Sequence, residues 1–209
     1  MKLLNGFIDI IRDFMKALVG RFAIVLNTLS GGKLSPDVIT LIGLFTHVPI
    51  ALLIAMRQNY WAAGLLITFG LFDSLDGALA RLQKTAGSRG MLLDASTDRI
   101  KEVILYTGAA YALVAGGYPF WTIWAVAACG ASLVVSYVKA KGETAITGGN
   151  LTANEINRLF ADGLMRFEVR MTILFVSLLA NQLRFALIFI AITSGITAVG
   201  RLVKISSKL

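Results

Sequence analysis

Positions 38–56 carry no Asp, Glu, Lys or Arg. An α-helix rises 1.5 Å per residue, so about 20 apolar residues cross the hydrocarbon core of a bilayer. Further apolar runs at 62–82, 91–111, 120–138, 164–179 and 185–202 bring the expected crossings to six. In lipid every backbone N–H and C=O needs an internal partner, which leaves an all-α, six-transmembrane-helix bundle as the expected fold. The composition agrees: 56% of residues are hydrophobic and 15% charged, with a mean hydropathy of +0.74, too apolar for an ordinary soluble domain. Little chain is left over for a separate catalytic domain, so any chemistry belongs to the membrane helices.

Turn and cap residues punctuate these runs. Ser30-Gly31-Gly32 is a break, after which Ser35 is placed to cap a helix with Pro36 at its first position. Tyr60 and Trp61 suit a membrane interface, Gly116, Gly117 and Pro119 a turn, and the polar stretch 139–158, with Gly148-Gly149-Asn150, a loop. Upstream, Asp9, Arg12, Asp13, Lys16 and Arg21 alternate with Leu3, Leu4, Phe7, Ile8, Ile10, Ile11, Phe14 and Leu18. That pattern predicts an N-terminal amphipathic helix lying at the bilayer surface rather than a cleaved secretion signal. The expected organisation is a juxtamembrane segment, 1–33, and one membrane catalytic domain, 34–209, since no internal repeat divides the chain.

The net charge of +8 could serve a nucleic acid or an anionic membrane surface. Its distribution decides for the membrane. With the N-terminus in the cytoplasm, only Arg57 and Arg184 of the 20 basic residues fall on the opposite side. Both termini are therefore expected in the cytoplasm, and no nucleic-acid partner is expected. A single cysteine, Cys129, excludes an intrachain disulfide and a cysteine-rich metal site. His47 reads as a packed or interfacial helix residue, and Trp61, Trp121 and Trp124 as anchors.

The chemistry concentrates in Phe72-Asp73-Ser74-Leu75-Asp76-Gly77-Ala78-Leu79-Ala80-Arg81 and in Gly90-Met91-Leu92-Leu93-Asp94-Ala95-Ser96-Thr97-Asp98. Spacings of three and four residues put Asp73 with Asp76, and Asp94 with Asp98, on single helix faces. Four such anions near hydrocarbon need positive charge, which hard Mg²⁺ or Mn²⁺ would supply to oxygen ligands. Helix-end pairing with Arg81, Arg99 and Lys101 is the structural alternative. Asp73, Asp76 and Asp94 are the candidate metal contacts, and Asp98 is the candidate acid/base residue, also able to touch a metal. A metal pair holding a diphosphate points to phosphoryl-type transfer to an alcohol. A transporter fits the hydropathy but has no use for this spacing. Gly77 and Ala80 could admit a nucleotide to the backbone or permit close helix packing, and Gly90 could make room or serve a loop. Arg81 could balance phosphate or hold the helix end.

Asp73, two residues, Asp76-Gly77, two residues, Ala80-Arg81, eight residues, Gly90, three residues, Asp94, three residues, Asp98 resembles the full signature of the CDP-alcohol phosphotransferase family, with no signature position substituted. Positions 34–40 also resemble that family's Pro-containing entry to its first helix. The resemblance implies a dinuclear site on Asp73, Asp76, Asp94 and Asp98, with Asp98 as catalytic base. It further implies nucleotide binding by Asp73, Gly77, Ala80, Arg81 and Gly90, in a membrane homodimer.

Ser136-Tyr137-Val138-Lys139-Ala140-Lys141 looks like the Ser-Tyr-x-Lys-Ala-Arg segment of prokaryotic phosphatidylinositol-phosphate synthases, with Lys141 in place of arginine. Arg166-Phe167-Glu168-Val169-Arg170 resembles their paired Glu-Arg motif, with Met165 at the first glutamate position, and Arg201 matches a basic residue of the last helix. The acceptor-phosphate candidates are thus Lys139, Lys141, Arg166, Arg170 and Arg201, against positive-inside anchoring as the plain alternative. The expected reaction takes the phosphatidyl group from CDP-diacylglycerol to inositol phosphate, releasing CMP at the cytoplasmic face. Glycerol 3-phosphate is the competing small phosphorylated alcohol.

Overall fold

The computed structural model describes residues 17–70, 72–146 and 165–207, the side chains of Asp73 and Ile146 excepted. The expected surface helix over 1–16 and the loop around Gly148 lie outside these residues. Among the described residues every regular element is helical: α1 Ala17–Leu29, α2 Pro36–Ala55, α3 Asn59–Gly70, α4 Phe72–Leu82, α5 Ser88–Ala115, a 3₁₀ turn Pro119–Trp121, α6 Thr122–Ile146, α7 Phe167–Leu179 and α8 Leu183–Ser206. Ser35 caps α2 as expected, its Oγ accepting the Asp37 N–H at 3.3 Å.

Among the described residues, four stretches are long and apolar enough to cross a membrane: Pro36–Ala55, Asn59–Leu82, Pro119–Ala145 and Leu183–Ser206. The protein is therefore an all-α, multi-pass membrane chain. The run expected at 91–111 is helical as well, as is 167–179 of the run expected at 164–179, but neither joins that group. α5 carries Arg89, Asp94, Asp98, Arg99 and Lys101 in its first half and Glu102 just beyond it. α7 has 13 residues, a length of about 20 Å at the helical rise. α6 continues past the expected end of its span, so Lys139 and Lys141 sit on a helix rather than in a loop. Alanines and an i,i+4 pair, Lys139 to Glu143 at 3.7 Å, favour that continuation.

Side chains such as Phe45, Leu52, Trp61, Ile123, Phe185 and Val199 point outward and are exposed. So much contiguous apolar surface would drive association in water and is solvated by lipid chains. Helix ends are closed by paired i→i−5 and i→i−3 bonds about a residue in left-handed conformation. Gly117, at φ 82°, ends α5 in this way, with Tyr118 N bonded to Leu113 O and Gly117 N to Val114 O. Arg57 and Lys84 do the same for α2 and α4 without glycine.

The chain forms two compact units, one from residues up to His47 with Leu65–Ile100, the other from Val48–Gly64 with everything after Ile100. In the first, Val19 and Ala23 of α1 share a core with Ile39 of α2 and Leu75 and Leu79 of α4. Gln83 locks that packing, its Nε2 donating to Asn27 Oδ1 and Leu34 O at 2.9 Å each. The described part of α1 thus packs with the helices that carry the signature, although the sequence places a boundary at residue 33. His47 is buried, with Nδ1 2.6 Å from the Gly43 carbonyl, in line with a packing role.

In the second unit α6 runs against α8 and α7 against α8. Gly108 of α5 meets α2 so closely that a Cβ there would overlap the Ala51 carbonyl and lie 2.9 Å from its Cα. Asn181 joins the α7–α8 turn to the start of α3, accepting from Asn59 Nδ2 at 2.8 Å and donating to the Tyr60 hydroxyl at 3.1 Å. Arg184 lies 4.3 Å over the Tyr118 ring and 5.6 Å from that of Trp121, a cation–π cluster.

Candidate active site

In the first unit the start of α2, the exposed face of α4 and the start of α5 enclose a cavity of about 1350 Å³. Asp76, Gly77, Ala80, Arg81, Gly90 and Asp94 all line it. Six signature positions read from spacing alone therefore share one space. α4 achieves this by being amphipathic: Leu75 and Leu79 go into the core, leaving the small and acidic residues to the cavity side.

Asp76 is the most constrained of them, at 6% exposure. Its Oδ2 accepts from the Thr40 hydroxyl at 2.5 Å and its Oδ1 from the Gly77 N–H at 2.5 Å. The Thr40 hydroxyl also lies 3.2 Å from the Pro36 carbonyl, so the capped first turn of α2 sets where this carboxylate points. Asp94 is exposed to the cavity. Asp98, one turn further along α5, is not among the lining residues; its carboxylate lies 3.6 Å from the Arg99 guanidinium. The Asp73 side chain lies outside the described residues.

A side chain added at Gly90 would meet nothing within 4 Å, and one at Gly77 only the Arg81 guanidinium at 3.5 Å. Among the described residues packing requires neither glycine, and both line the cavity. At the rim Arg89 pairs with Asp37 at 3.3 Å.

The lining contains carboxylate and hydroxyl oxygens and neither histidine nor cysteine, which fits a hard divalent cation better than a soft one. Among the described residues no three of His, Cys, Asp and Glu come close enough together to hold an ion. The described carboxylates lining the cavity are Asp37, Asp76 and Asp94.

The second unit gathers most of the remaining basic candidates. Arg201 of α8 is buried, with Nη1 donating to Val135 O of α6 at 3.2 Å. It lies within electrostatic range of Arg170, Arg166 and Glu143, and Glu143 pairs with Lys139. Lys139, Arg166, Arg170 and Arg201 thus belong to one neighbourhood. Lys141 is exposed and, two residues on from Lys139, lies on a different face of α6. Arg170 is 1% exposed and forked onto the Glu102 carboxylate, Nε to Oε1 at 2.6 Å and Nη2 to Oε2 at 3.0 Å, while Nη1 donates to the Met165 carbonyl.

Thr40 and Glu102 are the partners that motif reading passed over. Thr40 sits in the matched stretch 34–40 but carries no charge to draw attention. Glu102 had a usable signal: it falls four residues after Asp98, as Asp98 does after Asp94.

Residues 33–199 match the family described as CDP-alcohol phosphatidyltransferase. The chain belongs to that family. Among other CDP-alcohol phosphatidyltransferases, it is 30% identical over 184 residues to archaetidylinositol phosphate synthase of Pyrococcus horikoshii, covering 88% of this chain and 89% of that protein. It is 34% identical over 122 residues to phosphatidylinositol phosphate synthase of Cutibacterium acnes, covering 57% of this chain and 59% of the relative. The match to this bacterial relative thus spans somewhat over half of its length. The structure resembles phosphatidylinositol phosphate synthase of Mycobacterium tuberculosis solved with CDP-DAG bound, with TM-score 0.71 and 28% identity over 90% of this chain and 94% of that one. The same synthase in complex with manganese and citrate gives TM-score 0.71, covering 90% and 89%.

Proposed function

We propose that this CDP-alcohol phosphatidyltransferase moves a phosphatidyl group from CDP-diacylglycerol to inositol phosphate, forming phosphatidylinositol phosphate and CMP. The observation that carries the reading is the convergence of Asp76, Gly77, Ala80, Arg81, Gly90 and Asp94 on one cavity. The names of both relatives support an inositol phosphate head group in the product, and the CDP-DAG bound by the mycobacterial synthase supports CDP-diacylglycerol as donor.

Asp73, Asp76, Asp94 and Asp98 would hold two divalent ions, Mg²⁺ or Mn²⁺, and the manganese in the mycobacterial complex supports a divalent metal. When bound, such ions neutralise phosphate oxygens and favour departure of the leaving group. Thr40 holds the Asp76 carboxylate in place. Gly77, Ala80 and Gly90 leave space for the nucleotide, and Arg81 balances the diphosphate. Asp98 accepts the proton of the inositol hydroxyl as its oxygen bonds to the lipid-proximal phosphorus. The bond from that phosphorus to the CMP oxygen breaks, and CMP departs with the electron pair.

For the acceptor phosphate, four cations share a neighbourhood with Glu102 and Glu143, a positive excess that suits a phosphate dianion. Lys139, Arg166 and Arg201 take that phosphate, with Arg170 behind them and Lys141 at the periphery.

Six crossings, with the active site facing the cytoplasm, are part of the same reading. The α2–α3, α5–α6 and α7–α8 turns are drawn together by Asn59, Tyr60 and Asn181 and by Arg184 on Tyr118. Crossings by both α5 and α7 would account for this gathering of turns, which supports the six-span reading. The N-terminal segment lies at the cytoplasmic surface, and the enzyme works as a homodimer among membrane lipids of the cytoplasmic membrane.

Purified protein given CDP-diacylglycerol or its ether-lipid counterpart, with a panel of alcohols, tests the reaction by CMP release and lipid product mass. Inositol phosphate is expected to be consumed. Preference for glycerol 3-phosphate would overturn the acceptor assignment, and solute transport without CMP release would overturn the whole reading.

A further inference from the structure

Glu102 has no place in the chemistry described so far, yet it is wholly buried in a helix of a membrane protein, where an ionised group is expensive to keep. Its carboxylate receives both arms of the Arg170 fork. A buried ion pair of this kind roughly breaks even against apolar side chains of equal volume, so stability alone gives little reason for it. Arg170 spends its remaining bonds on the backbone around a single residue. Its Nη1 donates to the carbonyl of Met165, just before Arg166, and its backbone N–H donates to the carbonyl of Arg166 itself at 3.1 Å. Arg166 is the N-cap of α7, has extended backbone at φ −73° and ψ 164°, and makes no capping bond with its own side chain. Its side chain is exposed.

We propose that Glu102 is a positioning residue: by gripping Arg170 it holds the Arg170 guanidinium on the Met165 carbonyl, fixes the peptide that leads into Arg166 and so aims the Arg166 guanidinium at the acceptor phosphate. This rests on the reading that the basic neighbourhood binds that phosphate. With 0% exposure Glu102 itself touches no substrate.

The test uses the full-length protein with CDP-diacylglycerol and inositol phosphate, following KM for each substrate and the melting temperature. Glu102→Gln is expected to raise KM for inositol phosphate about ten- to hundredfold, as misplacement of a binding group does. KM for CDP-diacylglycerol should stay within about twofold. The double variant Glu102→Leu with Arg170→Met replaces the pair by apolar residues and should recover the melting temperature while the acceptor KM stays high. Recovery of both, or an equal rise for the two substrates, would overturn the proposal in favour of a purely structural pair. Should those variants not fold, Arg170→Lys, which keeps the charge and loses the fork, decides by the same KM: a rise is expected and an unchanged value overturns. If the wild type instead uses glycerol 3-phosphate, the acceptor reading fails, and KM for that phosphate still decides the role of Glu102.

Discussion

Asp76 and Asp98 are both aspartates of one signature, and their surroundings separate them. Asp76 accepts from Thr40 and from the Gly77 N–H, so its carboxylate has a set direction suited to coordination. The Asp98 carboxylate lies 3.6 Å from the Arg99 guanidinium and off the cavity wall, and its proposed role as base is open to a direct test. Asp98→Asn is expected to cut CMP release by about a hundredfold or more, the scale of general-base catalysis. Retention of CDP-diacylglycerol should persist, as should the melting temperature. Near-normal turnover of the purified variant would refute the assignment. Spacing alone brought the aspartates to notice, because three- and four-residue steps along a helix share a face. It had no means of separating their hydrogen-bond partners, since Thr40 is 36 positions away from Asp76.

At the level of elements, the helices owe their limits to local chemistry and their contacts to shape. Ser35, Pro36 and Gly117 mark ends that a sequence announces. Arg57 and Lys84 take left-handed conformations that sequence preference assigns to glycine or asparagine, and the helix-closing bonds hold them there. Gly108 had no visible role in the α5 sequence. Against the Ala51 backbone it is the point of closest approach between α5 and α2. Gly108→Val should therefore force these helices apart, lowering stability by about 1–3 kcal/mol, the usual cost of overpacking. A drop in melting temperature checks this, and an unchanged value would mean the two helices do not touch at Gly108.

For the molecule as a whole, the charge pattern and the packing bear on topology independently. In the proposed six-crossing topology only Arg57 and Arg184 of the basic residues lie on one side, and side-chain contacts bring together the turns next to those two residues. In a Cys129→Ala background, Gln58→Cys should react with an impermeant maleimide on intact cells, and Ser207→Cys only after permeabilisation. The reverse pattern would invert the orientation, and labelling of both from outside would remove one crossing. Hydropathy, the resemblance of the signature and turn residues were enough to read the helical membrane class, six of the residues that line the cavity and most helix ends. Each is a local property, written within a few turns of chain and enforced by lipid or by the helical repeat. Tertiary structure alone decided that α1 joins the catalytic unit, that Thr40 holds Asp76, that Glu102 holds Arg170, and that Gly108 is where two backbones meet. Those contacts link residues tens of positions apart, and their partners are chosen by the shape and burial of packed helices, which no local pattern encodes.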